Sequence, residues 1–345
     1  MSSKKPKLWQ YSHSLYFCRE EIRINLESPL VAIVIINWNA FEITRDCLKS
    51  LRQTTWQNKI LILVDNHSSD DSAARLSSDF PEIKLIQAHA NLGFTGGNNL
   101  GIREALIHKP DYIMLLNNDT IVTPGFLEPL INIFKNFKDT GAVQPKILFN
   151  HDRTLIWSAG GRYFPWIAQS PTIGYLKKDQ DRYNKPNQTD WTSNCCALYS
   201  TEALLKAGLL NEIYFYGSFD DVDVSLKISA LGKKLFYCPE SVIYHIAGMA
   251  ARSETPEAEG QMKPFVRYLV SRNNWFFIRT HTPWFFLPLV FIYTSMHATA
   301  LLCFSLIKGR KSKAKAILGG YIDGLRLPLE PEKINHSEAI QYYSR

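Results

Sequence analysis

The chain contains no CxxC pair, and its six cysteines, Cys18, Cys47, Cys195, Cys196, Cys238 and Cys303, follow no regular spacing. A disulfide or metal framework is therefore not expected, and we read all six as reduced thiols in a cytoplasmic protein. Residues 1 to 28 hold no apolar run between a basic start and a cleavage site, so no secretory signal is expected there. Internal repeats and low-complexity stretches are absent, and with 46% apolar residues disorder is not the default. Strong charge of one sign is missing too. A formal charge of +7 suits an anionic substrate or an anionic membrane surface and gives no ground for nucleic acid. The Gly/Asn-rich stretch Asn91 to Gly101 has no Walker lysine, which excludes a P-loop. No basic Gly-rich signature stands near the N-terminus, which sets a nucleotidyltransferase aside. Pro283 to Ile307 carries no Asp, Glu, Lys or Arg at all.

What is present is a series of short apolar runs that end in polar residues. Tyr112 to Leu116 is bounded by Lys109-Pro110-Asp111 and by Asn117, Asn118 and Asp119. A run of this kind suits a strand buried on both faces, with its function at the carboxyl end. Val31 to Ile36 ends in Asn37-Trp38-Asn39, and Ile60 to Val64 ends in Asp65-Asn66. Ile83 to Ile86 is a shorter strand. Between these runs lie helical patterns: residues 41 to 53, a helix after Asp70, one near 98 to 107 behind a Gly/Asn-rich loop, and one from Pro124 to about Phe137. This alternation predicts an α/β fold with a doubly wound, mostly parallel sheet. The second half is less regular. It holds an expected strand from Trp191 to Tyr199, a short helix from Thr201, a helix from Phe219 to Ala230, and strand-like runs at Lys234 to Cys238 and Val242 to His245.

The motifs Val34 to Asn39, Val64 to Asn66, Asn91 to Gly101, Leu116 to Asp119, Phe219 to Asp223, His245 and Arg272-Asn273 stand in one order. In that order they resemble the inverting family 2 glycosyltransferases of GT-A fold, in particular the bacterial rhamnosyltransferase-like branch. The resemblance covers roughly residues 30 to 280. It implies a tail at 1–29, a GT-A domain at 30–280 divided into a nucleotide-sugar half (30–145) and a catalytic and acceptor half (146–280), and a membrane-associating helical segment at 281–345.

The resemblance also assigns roles. Donor contacts are expected from Asn37, Asn39, Asp65, Asn91, Gly93, Gly97, Asn98, Asn118 and Arg272. Asp65, at a strand end, can accept the imide N–H of uracil or thymine. The glycines permit close backbone approach to ribose or phosphate. Asn117, Asn118 and Asp119 occupy the DxD position with Asn117 in place of the first acid. Asn117, Asp119 and His245 are the expected ligands of Mg2+ or Mn2+. Asp221 matches the general base, with neighbouring Asp220 and Asp223 raising its proton affinity, and Asp223 turned toward the scaffold. Trp191, Asn194 and Asp220 are expected on the acceptor side. The implied partners are dTDP-rhamnose or a UDP-sugar, a glycan or lipid-linked acceptor, and the cytoplasmic face of the cell membrane. Basic residues flank the uncharged run: Arg267, Arg272 and Arg279 before it, and Lys308, Arg310, Lys311, Lys313 and Lys315 after it. That pattern favours helices lying in one leaflet over a span, with a buried core pair third. The competing reading is an inactive nucleotide-sugar or carbohydrate-binding protein on the same scaffold, which Asn117 favours.

Overall fold

The computed structural model describes residues 28 to 246 and 262 to 344. The tail expected at 1–29 falls almost wholly outside them. The sheet runs β3-β2-β1-β4-β10-β6-β11-β5. Its first half is parallel: β1 (Val31–Asn37) lies between β2 (Lys59–Asp65) and β4 (Tyr112–Leu116), with β3 (Ile83–Gln87) outside β2. β1 and β4, at the centre, are apolar and closed off from water, as strands covered on both faces must be, while β3 at the edge is only partly covered. Alternate residues of β1 show the two layers. Val31, Ile33 and Ile35 pack with Leu48 and Leu51 of α1 (Phe41–Arg52), Leu76 of α2 (Ser72–Asp79) and Leu130 of the later α4. Ala32 and Val34 pack with Ile102 and Ala105 of α3 (Gly93–Ile107).

Beyond β4 the sheet becomes mixed. A turn at 117–119 leads to β5 (Thr120–Val122), α4 (Leu127–Asn136) and the long β6 (Thr140–Phe149). Of the short strands that follow, β7 (Leu155–Ser158) pairs with the end of β6, β8 (Lys177–Lys178) with β7, and β9 (Asn187–Thr189) with the strand at 234–245. β10 (Cys196–Ser200) returns antiparallel between β4 and β6. Then follow α5 (Thr201–Lys206), α6 (Asp220–Ala230) and β11 (Lys234–His245). The two runs expected at 234–238 and 242–245 are one strand, irregular between Cys238 and Val242. Two other boundaries differ from expectation. Residues 191–195 precede β10 instead of belonging to it. α3 begins at Gly93, so most of the expected Gly/Asn-rich loop is helix.

The reason for the early start of α3 is packing. A Cβ on Gly101 would run into Val34, one on Gly97 would press on Ile36 at 3.1 Å, and one on Gly93 would meet the Phe215 carbonyl. The glycines let a helix lie directly on β1 and β2.

The C-terminal region is a layer of helices. α7 (Pro264–His281) lies against the 212–219 loop, and α8 (Leu287–Ile307) is the apolar run. The chain turns at Gly309 (φ 69°) into α9 (Lys311–Arg326), which packs back on α7, and α10 (His336–Ser344) follows. On α9, Gly320 faces the Tyr268 carbonyl and Gly324 faces Trp275 and the Arg272 backbone, positions with no room for a Cβ. Small residues four apart let the two helices touch backbone to backbone. The favoured reading of this run is helices lying in one leaflet and the runner-up is a span; α8 is long and apolar enough for either, and α9 returns from its end to pack on α7. A buried core pair is corrected, because Trp284 is 80% and Ile307 82% exposed, and most of α8 between them faces outward.

Candidate active site

The carboxyl ends of β1, β2 and β4 open into a cleft of about 460 Å³. Asn117, Asn118 and Asp119 line it where β4 turns into β5. Asn39, Asn91 and Gly93 line it as expected, and so do Trp38, Asn66, Tyr216 and Lys263. A larger cavity of about 660 Å³ lies beyond Asn91, between α3, the 208–212 turn and residues 331–336, and holds none of the Asn117–Asp119 group.

A buried polar chain holds the cleft floor. The Asn118 amide donates to Thr44 Oγ1 (2.8 Å), which donates to Asn37 Oδ1 (2.9 Å). Asn37 Nδ2 in turn donates to Asp65 Oδ1 at 3.0 Å and Ser72 Oγ at 2.8 Å. Ser68 donates to Asp65 from both its hydroxyl (2.5 Å) and its backbone N–H (3.1 Å). Asn37 and Asp65 are thus spent on one another and buried. Neither lies on the cleft lining, where both were expected to meet donor. Three more expected donor residues are placed elsewhere. Gly97 is a packing glycine. Asn98 donates within α3 to the Phe94 carbonyl (2.9 Å). Arg272 is wholly buried in α7. The N-terminus of α3 is occupied as well: the Phe215 carbonyl accepts from Phe94 N–H at 2.5 Å. That end of the helix offers its N–H groups to the protein's own loop instead of to a phosphate.

Asp119 is met by His245 from the end of β11, Nε2 to Oδ1 at 3.1 Å. The imidazole stands edge-on to Trp157, and its Nδ1 is buried with no partner. Of the three expected metal ligands, Asp119 and His245 are in contact, and Asn117 lines the cleft two residues before Asp119. A carboxylate, an amide oxygen and an imidazole make a partial set for a hard cation, which commonly takes one or two carboxylates plus phosphate and water. No three of His, Cys, Asp and Glu converge among the described residues. The set fits a divalent ion whose sphere a bound diphosphate completes.

The acids of α6 lie on the neighbouring segment. Cys195 accepts from Asn117 N–H through its carbonyl at 2.9 Å. Burial first, then charges including Asp119 and Asp221, push the Cys195 thiol up. Beside it Asn194 donates to Asp220 Oδ2 (2.8 Å) and accepts from the Tyr199 hydroxyl (2.6 Å). Trp191, Asn194 and Asp220 were expected to face acceptor, but all three are buried, and Trp191 donates to the Arg162 carbonyl. Their sequence signal, polar residues before a strand, does not distinguish a surface from its support.

Asp221 keeps part of its side chain exposed. Burial nevertheless raises its carboxyl well above the ordinary range, and the Asp220 charge adds to this; the hydrogen bond from Val222 N–H opposes it. Helix N-termini favour anions, so desolvation and like charge win here against the dipole. Asp223 faces the scaffold as expected, held by Lys227 (2.7 Å) and His281 (2.7 Å). The loop before α6 is strained: Gly217, Ser218 and Phe219 have φ of 84°, 72° and 71°. The two non-glycine residues each cost about 1–2 kcal/mol in this region.

The parallel half-sheet with a cleft at its strand ends is that of the GT-A fold, and the matching family model makes the chain a glycosyltransferase. The chain belongs to glycosyl transferase family 2, whose model matches residues 32–208. It is 24% identical over 296 residues to the N-acetylglucosaminyl-diphospho-decaprenol L-rhamnosyltransferase of Mycobacterium tuberculosis, covering 79% of this chain and 92% of that one. It is 23% identical over 245 residues to the poly-beta-1,6-N-acetyl-D-glucosamine synthase of Staphylococcus aureus, covering 67% of this chain and 55% of the synthase. In structure it is similar to GalNAc-T7 crystallised with UDP, GalNAc and Mn2+ (TM-score 0.57, 15% identity), over 73% of this chain and about half (48%) of that one. It is also similar to S. aureus TarS 1–349 (TM-score 0.53, 12% identity, 86% and 81% covered).

The residues that sequence reasoning missed each have a reason. Trp38 and Asn66 adjoin the motif residues Asn37, Asn39 and Asp65. They lie just past the ends of β1 and β2, where the strand alternation that buries Asn37 and Asp65 no longer holds. Tyr216 and Lys263 reach it from distant segments and carry no local signal.

Proposed function

We propose that this protein is an inverting hexosyltransferase of cell-surface glycan synthesis. It would move a sugar from a nucleoside diphosphate to a lipid-linked or polysaccharide acceptor. Rhamnose from dTDP-rhamnose is the first candidate, by similarity to the mycobacterial rhamnosyltransferase, and a UDP-sugar is the second. The observation that carries the reading is the placement of Asp221 on α6 beside Asp220, whose carboxylate accepts from Asn194, next in the chain to the Cys195 that holds Asn117 of the 117–119 turn.

In this reading Asp221 takes the proton of the acceptor hydroxyl as that oxygen bonds to the anomeric carbon from the face opposite the leaving group. The bond from the anomeric carbon to the diphosphate oxygen breaks, and its electron pair leaves with the nucleoside diphosphate. Asp119, His245 and the Asn117 amide would hold Mg2+ or Mn2+, which when bound neutralises the departing diphosphate. Asn39, Asn91, Asn118 and the Gly93 backbone line the donor's path. A carboxylate made more basic by its surroundings supports catalysis over a merely binding scaffold.

The site would work at the cytoplasmic face of the membrane. α8 is uncharged and mostly exposed, with Val290, Thr294 and Ser305 turned inward, and Lys308, Lys311 and Lys315 are exposed at the turn that follows it. Of the upstream arginines Arg272 is buried, whereas Arg279 stays exposed while donating to the carbonyls of Gly324 (3.0 Å) and Leu327 (2.7 Å). Attraction to anionic headgroups would come from the downstream lysines together with Arg279. The test is incubation with a panel of nucleotide sugars, Mn2+ present, read as release of nucleoside diphosphate. Turnover of dTDP-rhamnose or a UDP-sugar is expected. No turnover of any donor, with binding retained, would leave the inactive scaffold.

A further inference from the structure

We infer that α7 is a splint for the catalytic segment, and that Asn273, oriented by Arg272, is a positioning residue for Asp220 and Asp221. The inference rests on the reading of Asp221 as the base. Its geometry stands independently of that role.

The segment 213–223 is tied to α7 on both sides of the acids. Before them, Asn273 Nδ2 donates to the Gly217 carbonyl at 3.1 Å and reaches the Tyr214 carbonyl at 3.5 Å. After them, His281 contacts the Asp223 carboxylate at 2.7 Å. Between these ties the Phe219 ring stacks on Phe277 with centroids 5.3 Å apart. Three successive residues with positive φ, 217 to 219, do not hold such a shape unaided. Gly217 N–H donates to the Tyr214 carbonyl at 2.8 Å, and Asn273, which reaches both carbonyls, ties that turn to α7 where the stretch begins.

Arg272 explains why the Asn273 amide points that way. Its Nε and Nη2 both donate to Asn273 Oδ1, at 3.2 and 3.0 Å. A guanidinium has only donors, so the amide oxygen must face it and the NH₂ must face the loop. Arg272 adds its own hydrogen bond to the Ile213 carbonyl at 3.4 Å. It has no carboxylate in contact among the described residues, and lies over the Tyr268 and Phe276 rings. Next to it His336 stacks on Phe215, 4.7 Å between centroids, and its pKa is lowered to about 3 by burial and the Arg272 charge. A neutral His336 Nδ1, 3.2 Å from Arg272 Nη1, can accept from it. A buried cation surrounded by carbonyl, amide and imidazole acceptors is built to hold backbone. It is walled off from the cleft that carries the donor.

The experiment uses the full chain and the Asn273→Ala variant. Turnover is measured on dTDP-rhamnose and UDP-sugars. Binding of dTDP and UDP is measured by calorimetry with Mn2+, and hydrogen exchange is followed at the amides of 213–219. Loosening the loop should lower kcat about tenfold to a hundredfold, the scale of a misplaced catalytic group. Nucleotide Kd should change less than about threefold, and exchange should speed up at 213–219 but not in β1, β2 or β4. A raised Kd with unchanged kcat would make Asn273 a donor contact and overturn the inference. Unchanged kcat, or lowered kcat with unchanged loop exchange, would overturn it too. If Asn273→Ala does not fold, Asn273→Asp, equal in size but without the donor, is read by the same criteria. Failure of the base assignment is read separately, as full turnover in Asp221→Asn, while the loop exchange still reports on the splint.

Discussion

At the scale of single residues, the fate of Asp221 sets three expectations. Asp221→Asn keeps the shape and removes the basic lone pair. Turnover should fall by about two to four orders of magnitude, with nucleotide binding nearly intact by calorimetry. Because burial and the Asp220 charge raise its pKa, the ionised form that acts as base is lost as pH falls toward neutral, not only in acid. The acid limb of the kcat profile should therefore lie well above the ordinary carboxylate range. Asp220→Asn removes the like charge and should move that limb to lower pH. Stability runs the opposite way. A group with a raised folded-state pKa contributes stability below its unfolded value, near 3.8, and loses it as pH rises through the folded value. Asp221→Asn escapes this loss, so thermal melts should show the variant gaining on the parent as pH rises from acid to mildly alkaline. A constant difference in Tm across that range would show that the carboxyl is not perturbed. Asp119→Ala should weaken both turnover and Mn2+-dependent UDP binding, and full activity in excess chelator would remove Asn117, Asp119 and His245 from any metal role.

At the scale of elements, the first parallel strands were legible, while β5 to β9 and the supports were not. β1, β2 and β4 read directly from apolar runs that stop at polar residues, because a strand covered on both faces tolerates little else. α3 did not read as a helix from Gly93, because glycine is a poor helix former and only contact with β1 and β2 selects it there. The same limit hid the division between Asn37 and Asn39. Both are asparagines at a strand end; one closes the buried relay to Asp65 and the other faces the cleft. The return of α9 rests on Gly320 and Gly324, which carry no meaning until Tyr268 and Arg272 lie opposite. Gly320→Leu would force a side chain into the Tyr268 carbonyl, and overpacking of this kind costs about 1–3 kcal/mol. Its measure is the denaturant midpoint. Because α9 covers α7, cutting the chain after Arg279 would strip the splint. Membrane attachment is better tested by charge on the outer face of α8. Ile292→Lys with Met296→Lys, both exposed, should release the protein from anionic vesicles while its Tm stays close to the parent's. Unchanged flotation with vesicles would remove α8 as the anchor.

At the scale of the whole molecule, the Gly309 turn has a consequence for topology. α8 is about 32 Å long at 1.5 Å per residue, long enough to cross a hydrocarbon layer. Yet the residue after its far end heads straight back, and Ser295 meets Tyr321 across the hairpin at 2.6 Å. A bilayer that accepts this hairpin takes it from one side only, and no hydrophilic segment of 308–344 has to be carried through. Entry of that kind needs no translocation channel. A reporter fused behind Ser344 should therefore sit in the same compartment as the nucleotide-sugar cleft, reachable by protease only when that compartment is opened.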